Sequence, residues 1–175
     1  MKWNNVFVNP MLDWGRVFSA CETIRDTRVR EFQFKFLHRI ISTNAFLYKI
    51  KVLDDSTCTF CHEAEETIEH LFWSCNEIVK IWKSLEEEFF RSKIKIEYEN
   101  VCFGFSDPEA VSWHDFVVFY AKYHIYYSRL QKISPHYGNI KQKVIFNLNV
   151  EKHLLEKNKK YVASQELDVF LHSLC

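Results

Sequence analysis

Apolar positions recur at helical spacing along most of the chain. Residues 12–22 read as a short helix capped by Asp13. Between Thr27 and Ile41 the run Glu31-Phe-Gln-Phe-Lys-Phe alternates as a strand would. The longer pattern predicts a helix, because Val29, Phe32, Phe36 and Ile40 form one stripe at 3.6-residue spacing. Ser42 or Thr43 then caps a short helix running to Lys49. Residues 54–62 read as a polar turn. Thr67, with Glu66 and Glu69 beside it, marks a helix start that carries Ile68, Leu71 and Phe72. A further helix over 76–90 places Ile78, Ile81, Trp82, Leu85 and Phe89 on one face.

Residues 94–105 form the best strand or extended segment, and Asp107-Pro108 marks a turn or helix start. A long helix is predicted over 112–133, with Trp113, Phe116, Val117, Tyr120, His124 and Tyr127 on its buried side. Pro135 and Gly138 break it, and 139–158 and 164–173 give two more helical patterns. Only three Gly and three Pro occur, too few for the turns that sandwiches and barrels need.

Hydrophobic residues make up 47% of the chain and aromatics 17%, enough to fill a packed core and to exclude disorder. No run of about 18 apolar residues is present, so no membrane partner is expected. The N-terminal residues lack the apolar stretch of a signal peptide. Three of the six cysteines cluster within residues 58–75, while Cys21, Cys102 and Cys175 stand apart and read as core or incidental thiols. That uneven spacing in a helix-rich chain points to an intracellular protein, nuclear or cytoplasmic, with reduced thiols free to hold metal.

The clustered cysteines supply the strongest chemical signal. Cys58-Thr-Phe-Cys61 is followed after eight residues by His70-Leu-Phe-Trp-Ser-Cys75. A Cys-x2-Cys turn puts two thiolates on one side of an ion, and His70 and Cys75 can close the other side. Three thiolates and an imidazole complete a tetrahedral Zn²⁺ shell with no position left for water, which makes the metal structural rather than catalytic. His62 is the rival ligand, but it follows Cys61 directly and would strain the chelate turn. His62-Glu-Ala-Glu-Glu66 also lacks the second histidine of a metalloprotease helix.

The expected fold is therefore mainly α: a helical bundle around a small Cys3His zinc knuckle, with at most one short extended or β segment near 94–105. Residues 1–92 carry the knuckle and 93–175 form a basic helical region, either separate or continuous with the first.

Net charge is zero, but it is unevenly spread. Residues 1–53 hold nine Lys/Arg against four Asp/Glu, 54–115 five against fifteen, and 116–175 nine against four, giving +5, −10 and +5. An acidic centre thus lies between two basic arms. On the first predicted long helix, Arg28, Lys35 and Arg39 form a basic stripe. On the helix over 112–133, Lys122, Tyr126 and Arg129 share a face opposite Trp113 and His124. Cations interleaved with an aromatic suit single-stranded or irregular RNA or DNA, by phosphate pairing and base stacking. The bland reading of each stripe is a solvated helix face.

No Gly-rich phosphate loop, nucleophile elbow or polymerase-like aspartate pair occurs, so no enzyme activity is expected. His114-Asp115 offers an acid–base pair only in principle, and His124 reads as core. The alternative to nucleic-acid binding is a protein–protein module that docks on a polymerase body or another partner.

Glu66-Thr-Ile-Glu-His70-Leu-Phe-Trp-Ser-Cys75, preceded by Cys58-x2-Cys61 and followed by Trp82, resembles the zinc-binding region C-terminal to reverse transcriptase in LINE-type (non-LTR) retrotransposons. The run Arg30-Glu-Phe-Gln-Phe-Lys-Phe-Leu-His38-Arg-Ile-Ile-Ser-Thr-Asn44 is similar to the helix preceding that knuckle. Ile125-Tyr126-Tyr-Ser-Arg129 is similar to the helix beyond it. The likeness spans residues 12–157. It implies a region that follows the polymerase thumb and helps bind element RNA and target DNA in the nucleus. The polymerase motif Tyr-x-Asp-Asp and a nuclease motif are not found in this chain, which on this resemblance looks like the separated tail of a larger element.

Overall fold

A computed structural model describes residue 3 and residues 13–105, 113–159, 161–172 and 174. Among these the protein is helical, with no sheet: α1 (Trp14–Thr23), α2 (Thr27–Leu37), α3 (Asn44–Lys49), a π-helical turn (His70–Ser74), α4 (Asn76–Glu88), α5 (Tyr98–Phe103), α6 (Trp113–Leu130), α7 (Tyr137–Lys157) and α8 (Tyr161–His172). No described helix is long and apolar enough to cross a membrane. Asp107-Pro108 and Cys175 lie outside the described residues.

Local rules explain most boundaries. The Asp26 carboxylate accepts from the Arg28 amide at 2.9 Å to cap α2, and Thr43 caps α3 through the Phe46 amide at 3.3 Å. The strand-like alternation in α2 resolves as helix: Phe32 and Phe36 are buried while Phe34 is 52% exposed. The expected stripe nevertheless overreached at its end. After Leu37, Arg39 takes the left-handed conformation (φ 54°) and the Ile40 amide reaches back to Lys35 O, a Schellman-type stop. Ile40 is swung off the buried stripe and is 50% exposed.

Half of the extended segment expected at 94–105 is instead α5. Glu97 and Asn100 form a reciprocal capping box, and the helix buries Val101, Cys102 and Phe103. Gly104 ends it at φ +84°, where a Cβ would lie 2.5 Å from Asp115 Oδ1, so both the backbone conformation and the close approach require glycine.

One hydrophobic core runs from Trp3 to Leu167. α6 lies at its centre, packed by α2, α5 and α7, while α8 packs on α7 and α4 also touches α7. Residues 115–122 of α6 are buried on all sides. Farther along, its buried face is Val118, Lys122, Ile125 and Arg129, not the face ending in Tyr127, which is 42% exposed. The periodicity failed here because a helix that is apolar all round carries no stripe to read.

Candidate metal centre and the adjacent cleft

The metal-binding residues come from three local devices. An antiparallel bridge between Thr57 and Glu65 closes a tight loop, with the Cys58 amide donating to Ala64 O at 2.8 Å and His62 to Cys58 O at 3.0 Å. The Phe60 amide points at Cys58 Sγ at 3.4 Å, a contact that favours a thiolate. His70 rides the helical segment that Thr67 starts, the Thr67 hydroxyl accepting from the His70 amide at 3.0 Å. Cys75 sits at the N-cap of α4, where the helix dipole favours negative charge.

The π-turn explains the His70-x4-Cys75 spacing. In an α-helix, residues five apart point about 140° away from each other. Here the Cys75 amide donates to His70 O at 3.0 Å, an i→i+5 bond that widens the turn and brings both side chains to the same side. The Trp82 indole donates to Phe72 O at 2.8 Å and holds α4 against this turn.

The ligand atoms of Cys58, Cys61, His70 and Cys75 lie within 4.8 Å of one another. Cys58 and Cys75 sulfurs are 3.9 Å apart, and Cys61 Sγ is 3.3 Å from His70 Nε2. A tetrahedral zinc with bonds of roughly 2.0–2.3 Å requires ligand separations of about 3.5–3.8 Å, so the four donors fit the ion in number, softness and spacing. His70 Nδ1 faces the Ser74 hydroxyl at 3.4 Å, leaving Nε2 for the metal. The hydrogen bond to Cys75, together with burial, pushes the Cys58 thiol far above its ordinary range, and the same bond holds Cys75 low. Zinc binding would require all three cysteines as thiolates, with the thiol protons released to solvent. His62 is exposed and stands outside the cluster.

The six basic or aromatic candidates divide sharply. Arg28, Lys35 and Tyr126 line a cleft of about 340 Å³ between α2 and α6, joined by Tyr123, Tyr127 and Leu130. Phe32 stacks on Tyr126 with centroids 5.2 Å apart and floors the cleft. The Arg28 side chain is 74% exposed and paired to Asp26, and Lys35 is paired to Glu31 one turn away. Arg39 does not join them. It lies past the end of α2, paired with Glu69 and stacked over the Trp3 ring at 4.6 Å.

Lys122 and Arg129 are corrections to the expected basic face of α6, because both point into the protein. Lys122 is wholly buried, donates to Val101 O at 2.6 Å and lies 3.9 Å from the Phe36 ring centroid. Burial lowers its pKa to about 7. The Arg129 Nε donates to Glu66 Oε1 at 2.8 Å in a buried ion pair.

Tyr123 and Lys143 were not singled out in the sequence, Tyr127 was expected on the buried face but lines the cleft, and Glu66 was read only beside a helix start. Lys143 of α7 stands 5.1 Å from the Tyr127 ring and extends the cationic rim. The Ile125-Tyr-Tyr-Ser-Arg pattern held the tyrosine signal, but nothing in the chain near Lys143 revealed its neighbour. His124, at about pKa 4 through burial, faces Asn147 at 2.8 Å and fits the core reading, as do Cys21 and Cys102, raised by burial to about 11 and 12.

No curated protein and no solved structure matches the chain. Residues 10–82 match a family model described as zinc-binding in reverse transcriptase. The likeness seen at Ile125–Arg129 falls outside that match. Residues 10–82 are thus similar to the zinc-binding region of reverse transcriptases, and all four candidate donors lie inside that stretch.

Proposed function

We propose that this protein is a zinc-stabilised module that binds single-stranded or irregular nucleic acid, without polymerase chemistry of its own. The zinc, held by Cys58, Cys61, His70 and Cys75, acts as a staple. The observation that carries the reading is the α2–α6 cleft, where Arg28 and Lys35 border the rings of Tyr123, Tyr126 and Tyr127.

Their ion pairs do not argue against this role. Exposed pairs with Asp26 and Glu31 contribute little and are screened by salt, so a phosphate can replace either carboxylate. A stacked base adds about 1–3 kcal/mol. Residues 54–115 are acidic, so attraction comes from α2 and α7 rather than from the knuckle. The test is binding of zinc-loaded protein to a single-stranded oligoribonucleotide across salt concentrations. Arg28→Ala/Lys35→Ala should weaken binding and make the log–log salt slope shallower by about 1.4, the value for two phosphate contacts on a single strand. No binding at low salt would contradict the reading.

A second reading, docking on a polymerase portion or another protein, is favoured by one observation. Phe46, Tyr48, Ile50 and Val52, in and just after α3, are all exposed large apolar side chains. Absence of RNA affinity together with saturable binding to a polymerase body would favour it.

A further inference from the structure

The metal-holding loop and the wall of the cleft meet at one buried carboxylate. Glu66 has no exposed surface. Its Oε1 accepts from Arg129 Nε at 2.8 Å and from the Asn44 amide at 2.9 Å. Its Oε2 accepts from the Thr59 amide at 2.8 Å and the Thr59 hydroxyl at 2.6 Å. Thr59 lies between the first two metal-binding cysteines, and Glu66 itself lies four residues before His70. Asn44 completes the knot: its side-chain nitrogen donates to Thr57 O at 2.7 Å and its oxygen accepts from Arg129 Nη2 at 2.8 Å.

Arg129 belongs to the last turn of α6, next to Leu130 and 5.9 Å from the Tyr126 ring, both part of the cleft. A buried ion pair holds only while its desolvated lone pairs keep their donors. Two of the four donors on Glu66 come from Thr59, in the loop whose closure depends on the metal. When that loop opens, Glu66 loses both, and Arg129 loses a firmly placed partner.

We infer that Glu66 is a positioning residue that couples metal occupancy of the knuckle to the shape of the α2–α6 cleft. The ligand of the cleft rests on the function proposed above, but the coupling itself does not. Linkage then runs both ways: whatever factor the closed knuckle adds to cleft affinity, cleft binding adds to metal affinity.

Hydrogen exchange of the full chain, zinc-loaded and chelated, tests the coupling without any nucleic acid. Zinc removal should raise exchange at 57–75 and also at 126–133, while 140–157 stays protected. A rise confined to 57–75, or a loss of protection throughout α7, overturns the proposal. A second arm measures zinc affinity by chelator competition, with and without a single-stranded oligoribonucleotide. The oligonucleotide should tighten zinc binding by at least about fivefold in the natural protein. Glu66→Gln/Arg129→Met, which removes both charges together, should still bind zinc but lose the tightening. Asn44→Ala keeps the ion pair and should reduce it, and stands in if the double variant does not fold. Tightening that persists in these variants overturns the proposal. An oligonucleotide that never binds defeats the functional reading, and the exchange data still decide the coupling.

Discussion

α2 and α6 carry similar ingredients, two or three cations spaced along a helix beside aromatic rings, yet the fold uses them in opposite ways. On α2, Arg28 and Lys35 stand in solvent beside nearby acids. On α6, Lys122 and Arg129 are buried, one against phenyl rings and a carbonyl, the other against Glu66. The difference follows from position in the bundle. α2 buries one stripe, Val29, Phe32, Gln33, Phe36 and Leu37, so its polar face stays wet, whereas residues 115–122 of α6 are all buried. Cations on a peripheral helix are available to a partner. Cations on a central helix are structural, whatever their spacing.

The contrast predicts a wide gap in stability. Arg129→Ala leaves the Glu66 carboxylate buried without its counter-charge and should cost about 3–5 kcal/mol in urea unfolding of the zinc-loaded protein. Arg28→Ala, which removes a solvent-screened pair, should cost at most about 1 kcal/mol. Comparable losses would erase the distinction between the two helices.

Lys122 sharpens the same point through pH. Its pKa is lowered from 10.5 to about 7 in the folded protein, chiefly by desolvation. Between those values the unfolded chain binds a proton that the folded protein does not, so stability should rise with pH through this window and level off below 7. The slope approaches about 1.4 kcal/mol per pH unit. Lys122→Met removes that slope, so its stability difference from the natural protein should change steadily between pH 7 and 9. A constant difference would show that Lys122 does not titrate there. The smallest effect is expected for Arg28→Ala/Lys35→Ala on folding, which should leave the zinc stoichiometry and the far-UV spectrum unchanged while nucleic-acid affinity falls.

The metal centre was the most legible part of the chain, because tetrahedral thiolate and imidazole coordination imposes a spacing that sequence preserves. The amphipathic helices were legible for the same kind of reason: α4 buries Ile78, Ile81, Trp82 and Leu85, and its C-cap Phe89 follows the same stripe. Three features were not. The Glu97/Asn100 capping box hid inside a run that alternated like a strand. The Schellman stop at Arg39 used a non-glycine residue at positive φ, which composition does not reveal. The inward turn of Lys122 and Arg129 depends on distant partners, Val101 and Glu66, and no local pattern encodes a long-range contact.

If a zinc staple holds a nucleic-acid cleft, metal and RNA binding should fail together. Zinc-loaded natural protein and Cys58→Ser are compared for single-stranded RNA binding over a salt series, with bound zinc measured in each sample. The natural protein should hold one zinc per chain and bind RNA in a salt-sensitive way, and Cys58→Ser should lose both. Equal RNA affinity in the two proteins, or none in either at low salt, would contradict it.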